Sequence, residues 1–300
     1  MTIVPFDDRD GVIWLDGRMV PWREARVHVL THALHYASSV FEGERVYGGE
    51  VFKLTEHSQR LADSAEIMGF RLPWTVEQID AATREVIAAQ GIVDGYVRPV
   101  AWRGSEMMGV SAQHNSIHVA IATWEWPSYF DPAARMKGIK LTMAPWRRPS
   151  PETAPTKAKA AGLYMICTLS KHAAEGQGFH DALMLDYRGL LAEATGANLF
   201  LVIDGKLHTP TPDCFLDGIT RRTVIELAEA RGIEVIERHM EPTELTKASE
   251  VFITGTAAEV TPVGLIDELT FTPGRITETL MNDFTAAVQP RGDKAVAAAE

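Results

Sequence analysis

The chain has 300 residues, and because a domain averages about 150 residues, this length predicts roughly two domains, each able to bury its own core. The 46% hydrophobic and 23% charged residues are typical of a globular protein and exclude bulk disorder. With 29 Lys and Arg against 40 Asp and Glu, the formal charge is -11, which argues against nucleic acid and anionic membranes as partners.

The cysteines and the hydropathy pattern predict a cytoplasmic protein. Cys167 and Cys214 are the only two cysteines and form no C-x-x-C motif, so neither a disulfide framework nor a cysteine zinc site is expected. The first residues contain no apolar signal segment, and no later run approaches about 18 uncharged apolar residues.

Turn signals and hydrophobic periodicity predict an α+β first domain over residues 1–126. Asp16-Gly17 between two β-rich runs is typical of a hairpin with a type I′ turn, and Gly48-Gly49 indicates a second hairpin. Two helices and two strands complete this domain: a helix capped by Thr55, a helix from Thr75 to about Gln90, and strands over 96–103 and 116–124.

The periodicity breaks at Trp126-Pro127, which predicts an interdomain linker over 127–135 and a larger second domain over 136–300. That domain is again predicted to mix helices and strands. The elements are strands over 139–145, 182–185, 198–203, 234–238 and 250–253, a hairpin at Asp204-Gly205, and helices over about 160–175, 220–231 and 276–287.

Two lysines stand among small residues just before a predicted helix, Lys157 and Lys159 within 155–162. A desolvated lysine, or one beside another cation, has a lowered pKa and attacks carbonyl groups as a free amine. Most lysines are exposed, so a solvated helix start is the alternative interpretation.

Three further segments have residue types that suit an anionic or aromatic ligand. Asp217-Gly218-Ile219-Thr220 opens a helix, and helix N-termini bind phosphate, although plain N-capping would use the same residues. The small-residue turn over 254–259 could form an anion-binding nest or a plain tight turn. Glu193 lies in a small, apolar segment, where a carboxylate needs a cation such as a protonated pyridine or an arginine.

No metal site is predicted. His28, His32 and His35 have ligand-like spacing, but no cysteine and no H-E-x-x-H motif accompanies them. Gly176-Gln-Gly178 follows a helix and lacks a third glycine, which indicates a helix C-cap and not a dinucleotide site.

Six segments in this order resemble the class IV pyridoxal-phosphate aminotransferases, and among them the bacterial branched-chain amino acid aminotransferases. They are HALHYASSVFEGERVY (32–47), YVRP (96–99), KAAGLY (159–164), AEATGANLF (192–200), DGITRR (217–222) and GTAAEVTPV (255–263). The resemblance implies fold type IV, the fold of D-amino acid aminotransferases. This is an α+β two-domain structure with a small N-terminal α/β domain and a larger, barrel-like mixed α/β C-terminal domain.

The resemblance also implies the cofactor, pyridoxal 5'-phosphate, and the residues that hold it. Lys159, five residues before Tyr164, would be the catalytic lysine that forms the Schiff base, and Lys157 a bystander. Glu193 would pair with the pyridine nitrogen and Tyr164 with the ring hydroxyl. The implied residues around the phosphate are Arg60, Ile219, Thr220 and Thr256, and Gly218 is a further implied cofactor-binding residue.

The implied reaction moves an amino group between L-leucine, L-isoleucine or L-valine and 2-oxoglutarate. The implied assembly is a homodimer or homohexamer. Thr256, Ala257 and Tyr96 would hold the α-carboxylate. Arg98 would bind the distal carboxylate of glutamate, and aromatic rings would form an apolar wall. The implied substrate-binding residues are Tyr36, Phe41, Gly43, Arg45, Tyr96, Arg98, Thr256 and Ala257.

Two residues depart from the family pattern. Glu44 replaces an aliphatic residue, but strand alternation places it with Glu42 on the face opposite Phe41 and Arg45. Met107 stands where the family usually has glycine, in a loop that approaches the active site, so we expect it to alter the side-chain preference.

Other functions remain alternatives at this point. A D-amino acid or (R)-amine transaminase, or an aminodeoxychorismate lyase, would share the lysine, the glutamate and the phosphate residues. Tyr96-x-Arg98 and Gly255-Thr-Ala favour the branched-chain activity over these. A non-enzymatic ligand-binding protein is a further alternative, and a nicotinamide oxidoreductase is disfavoured because no strand-GxGxxG-helix unit is present.

Overall fold

The computed structural model describes residues 5–126 and 136–290. They form two compact units. The first comprises residues 5–126, 158–162 and 290, and the second comprises 136–157 and 163–289. The predicted linker, 127–135, lies outside the described residues, and the predicted domain boundaries stay predictions. The short segment 158–162 packs within the first unit, although it lies far along the chain.

A seven-stranded sheet forms the frame of the first unit, with strand order β2-β1-β7-β6-β4-β5 and β3 on β6. Asp16 and Gly17, which join β1 and β2, have φ of 48° and 89°, so the predicted type I′ turn is confirmed. The strands are β1 (Val12–Leu15), β2 (Arg18–Pro21), β3 (Ser39–Phe41), β4 (Glu44–Tyr47), β5 (Glu50–Val51), β6 (Gly95–Arg103) and β7 (Ile117–Glu125).

The helices of the first unit are α1 (His32–Tyr36), α2 (Leu54–Ile67) and α3 (Val76–Gln90). Helix α3 begins as predicted, because Thr75 forms a capping box with Gln78. The predicted cap at Thr55 is wrong. Helix α2 begins after Lys53, whose backbone is left-handed, and the Thr55 hydroxyl instead donates a 2.6 Å hydrogen bond to Oδ2 of Asp80 on α3.

The second unit contains a nine-stranded sheet whose central strands close into a barrel. Six strands, β8, β9, β10, β11, β14 and β15, form a closed ring because β10 pairs with both β9 and β11. The strands are β8 (Ile139–Met143), β9 (Asp181–Leu185), β10 (Leu191–Ala194), β11 (Asn198–Ile203), β12 (Lys206–Pro210), β13 (Val235–Arg238), β14 (Glu250–Gly255), β15 (Glu259–Ile266) and β16 (Leu269–Thr270).

The described residues of the second unit form three α-helices: α4 (Met165–Glu175), α5 (Ile219–Ala230) and α6 (Arg275–Val288). The helix predicted over 160–175 is shorter than expected, because Ala161–Tyr164 forms a 3-10 turn before α4 begins. Within the described ranges, no helix has the length and apolar character needed to cross a membrane.

Candidate active site

Main-chain hydrogen bonds fix the position of Lys159 within the first unit. Its N–H donates to Oγ of Ser64 on α2 at 3.0 Å, and its carbonyl accepts from the N–H of Phe41 at 3.1 Å. Ala160 forms a β-bridge with Val40, so the segment continues alongside β3. The half-buried Lys159 side chain carries its Nζ over the Phe41 ring, 5.2 Å from the centroid. Lys157, by contrast, is exposed.

Five of the predicted substrate-binding residues are neighbours, because Arg98 joins the Phe41 ring to Tyr96 and the other two lie next to Tyr96. Arg98 stacks on Phe41, with its Cζ 4.8 Å from the ring centroid, and its Nη2 donates to the Tyr96 hydroxyl at 3.3 Å. Arg45 lies directly across the sheet from Tyr96. Gly43 is required beside them, because a Cβ at that position would lie 1.9 Å from the Tyr96 hydroxyl oxygen.

Arg60 lies on α2, next to a carboxylate that sequence reasoning did not single out. Its Nε and Nη2 donate to the two oxygens of Glu42 at 2.6 and 2.9 Å, a bidentate pair whose carboxylate is fully buried. Glu44 is also buried, and the charge of Glu42 acts on it, in agreement with the expectation that the two lie on one face. Burial, together with Glu42 and Asp80, raises the pKa of Glu44 well above the ordinary range.

In the second unit, Glu193 is held between two polar side chains. Nε of Arg148 lies 3.3 Å from Oε1 of Glu193, and Nδ2 of Asn198 donates to Oε2 at 3.1 Å. A bulge between Leu191 and Glu193 interrupts the pairing of β10 with β9 at this point. The negative charge of buried Glu193 is therefore compensated by a buried arginine. An arginine was one of the two expected cations, the other being a protonated pyridine.

Arg148 also connects Glu193 with the start of α4. Burial by itself lowers the pKa of Arg148, but Glu193, Cys167 and Tyr164 outweigh it and raise that pKa above its ordinary value. Nη1 of Arg148 contacts Sγ of Cys167 at 3.3 Å. Burial raises the pKa of the Cys167 thiol to about 11, despite the opposing effect of Arg148. This cysteine is therefore a neutral packing group and not a nucleophile.

The loop before α5 is joined to Glu193 through Asn198. Nδ2 of Asn198 also donates to the carbonyl of Leu216 at 3.0 Å, and a Cβ at Gly218 would lie 2.2 Å from Oδ1 of Asn198. No side chain in the described part of the chain caps the N-terminus of α5, whose first residues, Ile219 and Thr220, are buried. Its first backbone N–H groups are thus suited to an anion.

Thr256 and Ala257 lie in the turn between β14 and β15. A Cβ at Gly255 would lie 3.0 Å from the carbonyl oxygen of Gly196, so this turn packs against the turn that follows Glu193. Glu193, the N-terminus of α5 and the turn over 255–259 are in this way connected within the second unit.

Some predicted residues lie away from these contacts, and one aromatic residue was overlooked. Tyr36 ends α1, where its ring stacks on His32 and 44% of the residue is exposed. Trp126 packs against Tyr96 with ring centroids 5.4 Å apart. In the sequence, Trp126 preceded a proline and indicated only a chain break.

The histidines with ligand-like spacing make separate hydrogen bonds to the protein. His32 bonds Oγ of Ser38 and the carbonyl of Gly109, and His35 bonds the carbonyl of Val29. Elsewhere, Asp186 and Asp213 lie close to Cys214, but both carboxylates are paired with Arg188. The prediction of no metal site stays a prediction.

Residues 39–266 match the family model described as amino-transferase class IV. The chain therefore belongs to the class IV aminotransferases.

A branched-chain-amino-acid aminotransferase from Pseudomonas aeruginosa is 40% identical over 284 residues, which cover 92% of each chain. The crystal structure of the T.th. branched-chain amino acid aminotransferase with pyridoxamine 5'-phosphate superimposes with a TM-score of 0.91 at 38% identity, covering 95% of this chain and 97% of that chain. The same T.th. enzyme complexed with N-(5'-phosphopyridoxyl)-L-glutamate gives a TM-score of 0.89 at 38% identity, with the same coverage. These likenesses confirm the predicted fold class, fold type IV.

Proposed function

We propose that this class IV aminotransferase uses pyridoxal 5'-phosphate to move an amino group between L-leucine, L-isoleucine or L-valine and 2-oxoglutarate. One observation carries the proposal: the Phe41 ring contacts both the Lys159 amine, at 5.2 Å, and the Arg98 guanidinium, at 4.8 Å. A candidate catalytic amine thus lies beside an apolar surface for an aliphatic side chain and beside a cation for a distal carboxylate.

The donor groups described above fit the proposed cofactor. A buried carboxylate, Glu193, suits a protonated pyridine nitrogen, and the uncapped N-terminus of α5 suits a phosphate. Thr254, on β14 just before the turn over 255–259, carries a buried hydroxyl for which the described residues provide no hydrogen-bond partner. The residues that would hold the cofactor are Lys159, Tyr164, Glu193, Arg60, Gly218, Ile219, Thr220 and Thr256.

When bound, the cofactor supplies an electron sink that stabilises negative charge at the substrate Cα. Lys159 would anchor it and move the proton at Cα as the general base. Tyr96, Thr256 and Ala257 would bind the substrate α-carboxylate. Arg98 would bind the distal carboxylate of glutamate, and Phe41 would exclude water from a leucine side chain.

Substrate stereochemistry tests this proposal against the other class IV activities. The cofactor-loaded protein is incubated with 2-oxoglutarate and either L-leucine, D-alanine or an (R)-amine, and glutamate formation is followed. We expect glutamate from L-leucine only. Formation from D-alanine or the (R)-amine without L-leucine turnover would replace the substrate assignment, and release of pyruvate from aminodeoxychorismate would indicate the lyase.

Arg98→Met is expected to separate the two substrate classes. Nε of Arg98 is buried and has no hydrogen-bond partner among the residues that the structure describes, so its donors suit a carboxylate. Loss of a bidentate charged pair of about 1.5–3 kcal/mol predicts a decrease of roughly 10- to 150-fold in kcat/KM for L-glutamate. The value for L-leucine should change by less than about threefold. An equal decrease for both amino acids would contradict this role.

Met107→Gly is expected to change the ratio of kcat/KM for L-leucine and L-glutamate. Met107 is 41% exposed, and its main-chain N–H and carbonyl are both bonded to the buried side chain of Asn115. Because Asn115 fixes the loop through its backbone, the glycine variant should keep the loop position and lose only the thioether side chain. An unchanged ratio would show that Met107 has no part in side-chain preference.

We further propose that the protein is a cytoplasmic homodimer or homohexamer. The support for assembly is a group of large apolar side chains that are 41–86% exposed, including Val29, Leu34, Met108 and Val110. The support for the cytoplasm is the pair of buried free cysteines.

A further inference from the structure

A fully buried carboxylate, Glu42, joins two side chains of α2. Its Oε1 accepts from Nε of Arg60 at 2.6 Å, and its Oε2 accepts from Nη2 of Arg60 at 2.9 Å and is 2.6 Å from Nδ1 of His57. The N–H of Gly43 gives Oε2 a longer bond of 3.3 Å. Glu42 therefore accepts hydrogen bonds along the whole edge of its carboxylate.

The protonation states leave this network with no net charge. Burial by itself raises the pKa of Glu42, but Arg60 and then His57 hold that pKa well below its ordinary range, so Glu42 is ionised at neutral pH. Burial lowers the pKa of His57, although Glu42 opposes this effect, so the imidazole is neutral. Its Nδ1 then carries the hydrogen that is donated to Glu42, and one carboxylate balances one guanidinium.

The same face of α2 also holds the candidate catalytic lysine. His57, Arg60 and Ser64 are spaced three and four residues apart, which places them along one side of the helix. Ser64 accepts the main-chain hydrogen bond of Lys159, and the charge of Lys159 acts on His57. The buried network thus borders the residues that the proposed function assigns to the cofactor.

We propose that Glu42 is a positioning residue that orients Arg60 for a phosphate monoester, an inference that rests on the proposed function. The bidentate contact uses the Nε–Nη2 edge of the guanidinium and fixes its plane. A long side chain that is already ordered loses less conformational entropy when it binds an anion. Glu42 therefore strengthens phosphate binding although it has the same sign of charge as the ligand.

The test compares two ligands that differ only in the phosphate. The full-length protein, freed of cofactor, is titrated with pyridoxal 5'-phosphate and with pyridoxal, for wild type and Glu42→Gln. Glutamine has the shape of glutamate, but its amide nitrogen must face an N–H donor of Arg60 or His57, so the orientation of Arg60 is lost. We expect Kd for the phosphate to rise at least about tenfold, as for a lost charged hydrogen bond, and Kd for pyridoxal to change less than about twofold.

Glu44→Gln is the matched control. Glu44 is equally buried and near Glu42, and neither of its oxygens has a hydrogen-bond partner among the described residues. Its raised pKa keeps it protonated, so an amide of the same shape should leave both dissociation constants unchanged. In an Arg60→Met background, Glu42→Gln should cause no further phosphate-specific loss, because the positioned group is absent.

Three results would overturn the inference. An equal loss of affinity for both ligands would indicate a general structural role. Tighter binding of the phosphate ligand, or no change in its Kd, would also contradict the positioning role. If Glu42→Gln does not fold, Glu42→Asp replaces it, and the same phosphate-specific loss is expected because the shorter side chain cannot reach both α2 residues. A wild-type protein that binds the two ligands equally would instead contradict the proposed phosphate site, and with it the positioning role.

Discussion

Lys159→Ala is expected to lower kcat for L-leucine by at least about 10³-fold, the scale of losing a nucleophile and general base together. Lys159 carries its amine over the Phe41 ring, and its main chain is fixed by Ser64 and Phe41, so the variant removes the amine without removing the segment's hydrogen bonds. Folding stability should therefore change little. The measurements are kcat by product formation and Tm by thermal denaturation.

Lys157→Ala is the control for this experiment. Lys157 is exposed and two residues away, so its loss should leave kcat within about twofold of wild type, as for an ordinary surface substitution. If Lys157→Ala is inactive and Lys159→Ala is active, the wrong lysine has been assigned.

Glu193→Gln is expected to reduce kcat by roughly 10²- to 10³-fold while the protein still binds its cofactor, because the pyridine nitrogen loses its ionic partner. The same change leaves buried Arg148 without its carboxylate. Breaking a buried ion pair costs roughly 3–5 kcal/mol, so we expect Tm to fall as well. Both quantities are measured on the cofactor-loaded variant.

Glu193→Asp separates the two effects. It keeps the charge that Arg148 requires but shortens the side chain, so Tm should fall less than in Glu193→Gln while kcat stays low. A folded Glu193→Gln variant with wild-type kcat would exclude the proposed pairing with the pyridine nitrogen.

The sequence predicted correctly those turns and helix starts that depend on neighbouring residues in the chain. The turn at Asp16-Gly17 and the start of a helix at Thr75 depend on residues within a few positions, and both predictions are confirmed. Thr55 was predicted as a cap for the same local reason, but its hydroxyl bonds Asp80 on another helix. A tertiary partner overrides a local preference and is not visible in a linear pattern.

The candidate site likewise contains residues that the sequence indicated and residues that it did not. The family resemblance named Lys159, Glu193 and Arg60, whereas the residues that support them were not found. Arg148 and Asn198 hold Glu193, and Glu42 holds Arg60, through contacts that the fold creates between separate elements. Glu42 was visible in the sequence only as an acidic residue on the strand face opposite the predicted pocket, which gave no reason to select it.

The assignment of Lys159 is tested most directly by locating the cofactor on the chain. The protein loaded with pyridoxal 5'-phosphate is treated with borohydride, which makes the bond between lysine and cofactor permanent, and is then digested and analysed by mass spectrometry. We predict the phosphopyridoxyl group on Lys159 and no modification of Lys157. Modification of Lys157 or of another lysine, or no modification of a loaded sample, would contradict the assignment of Lys159 as the catalytic residue.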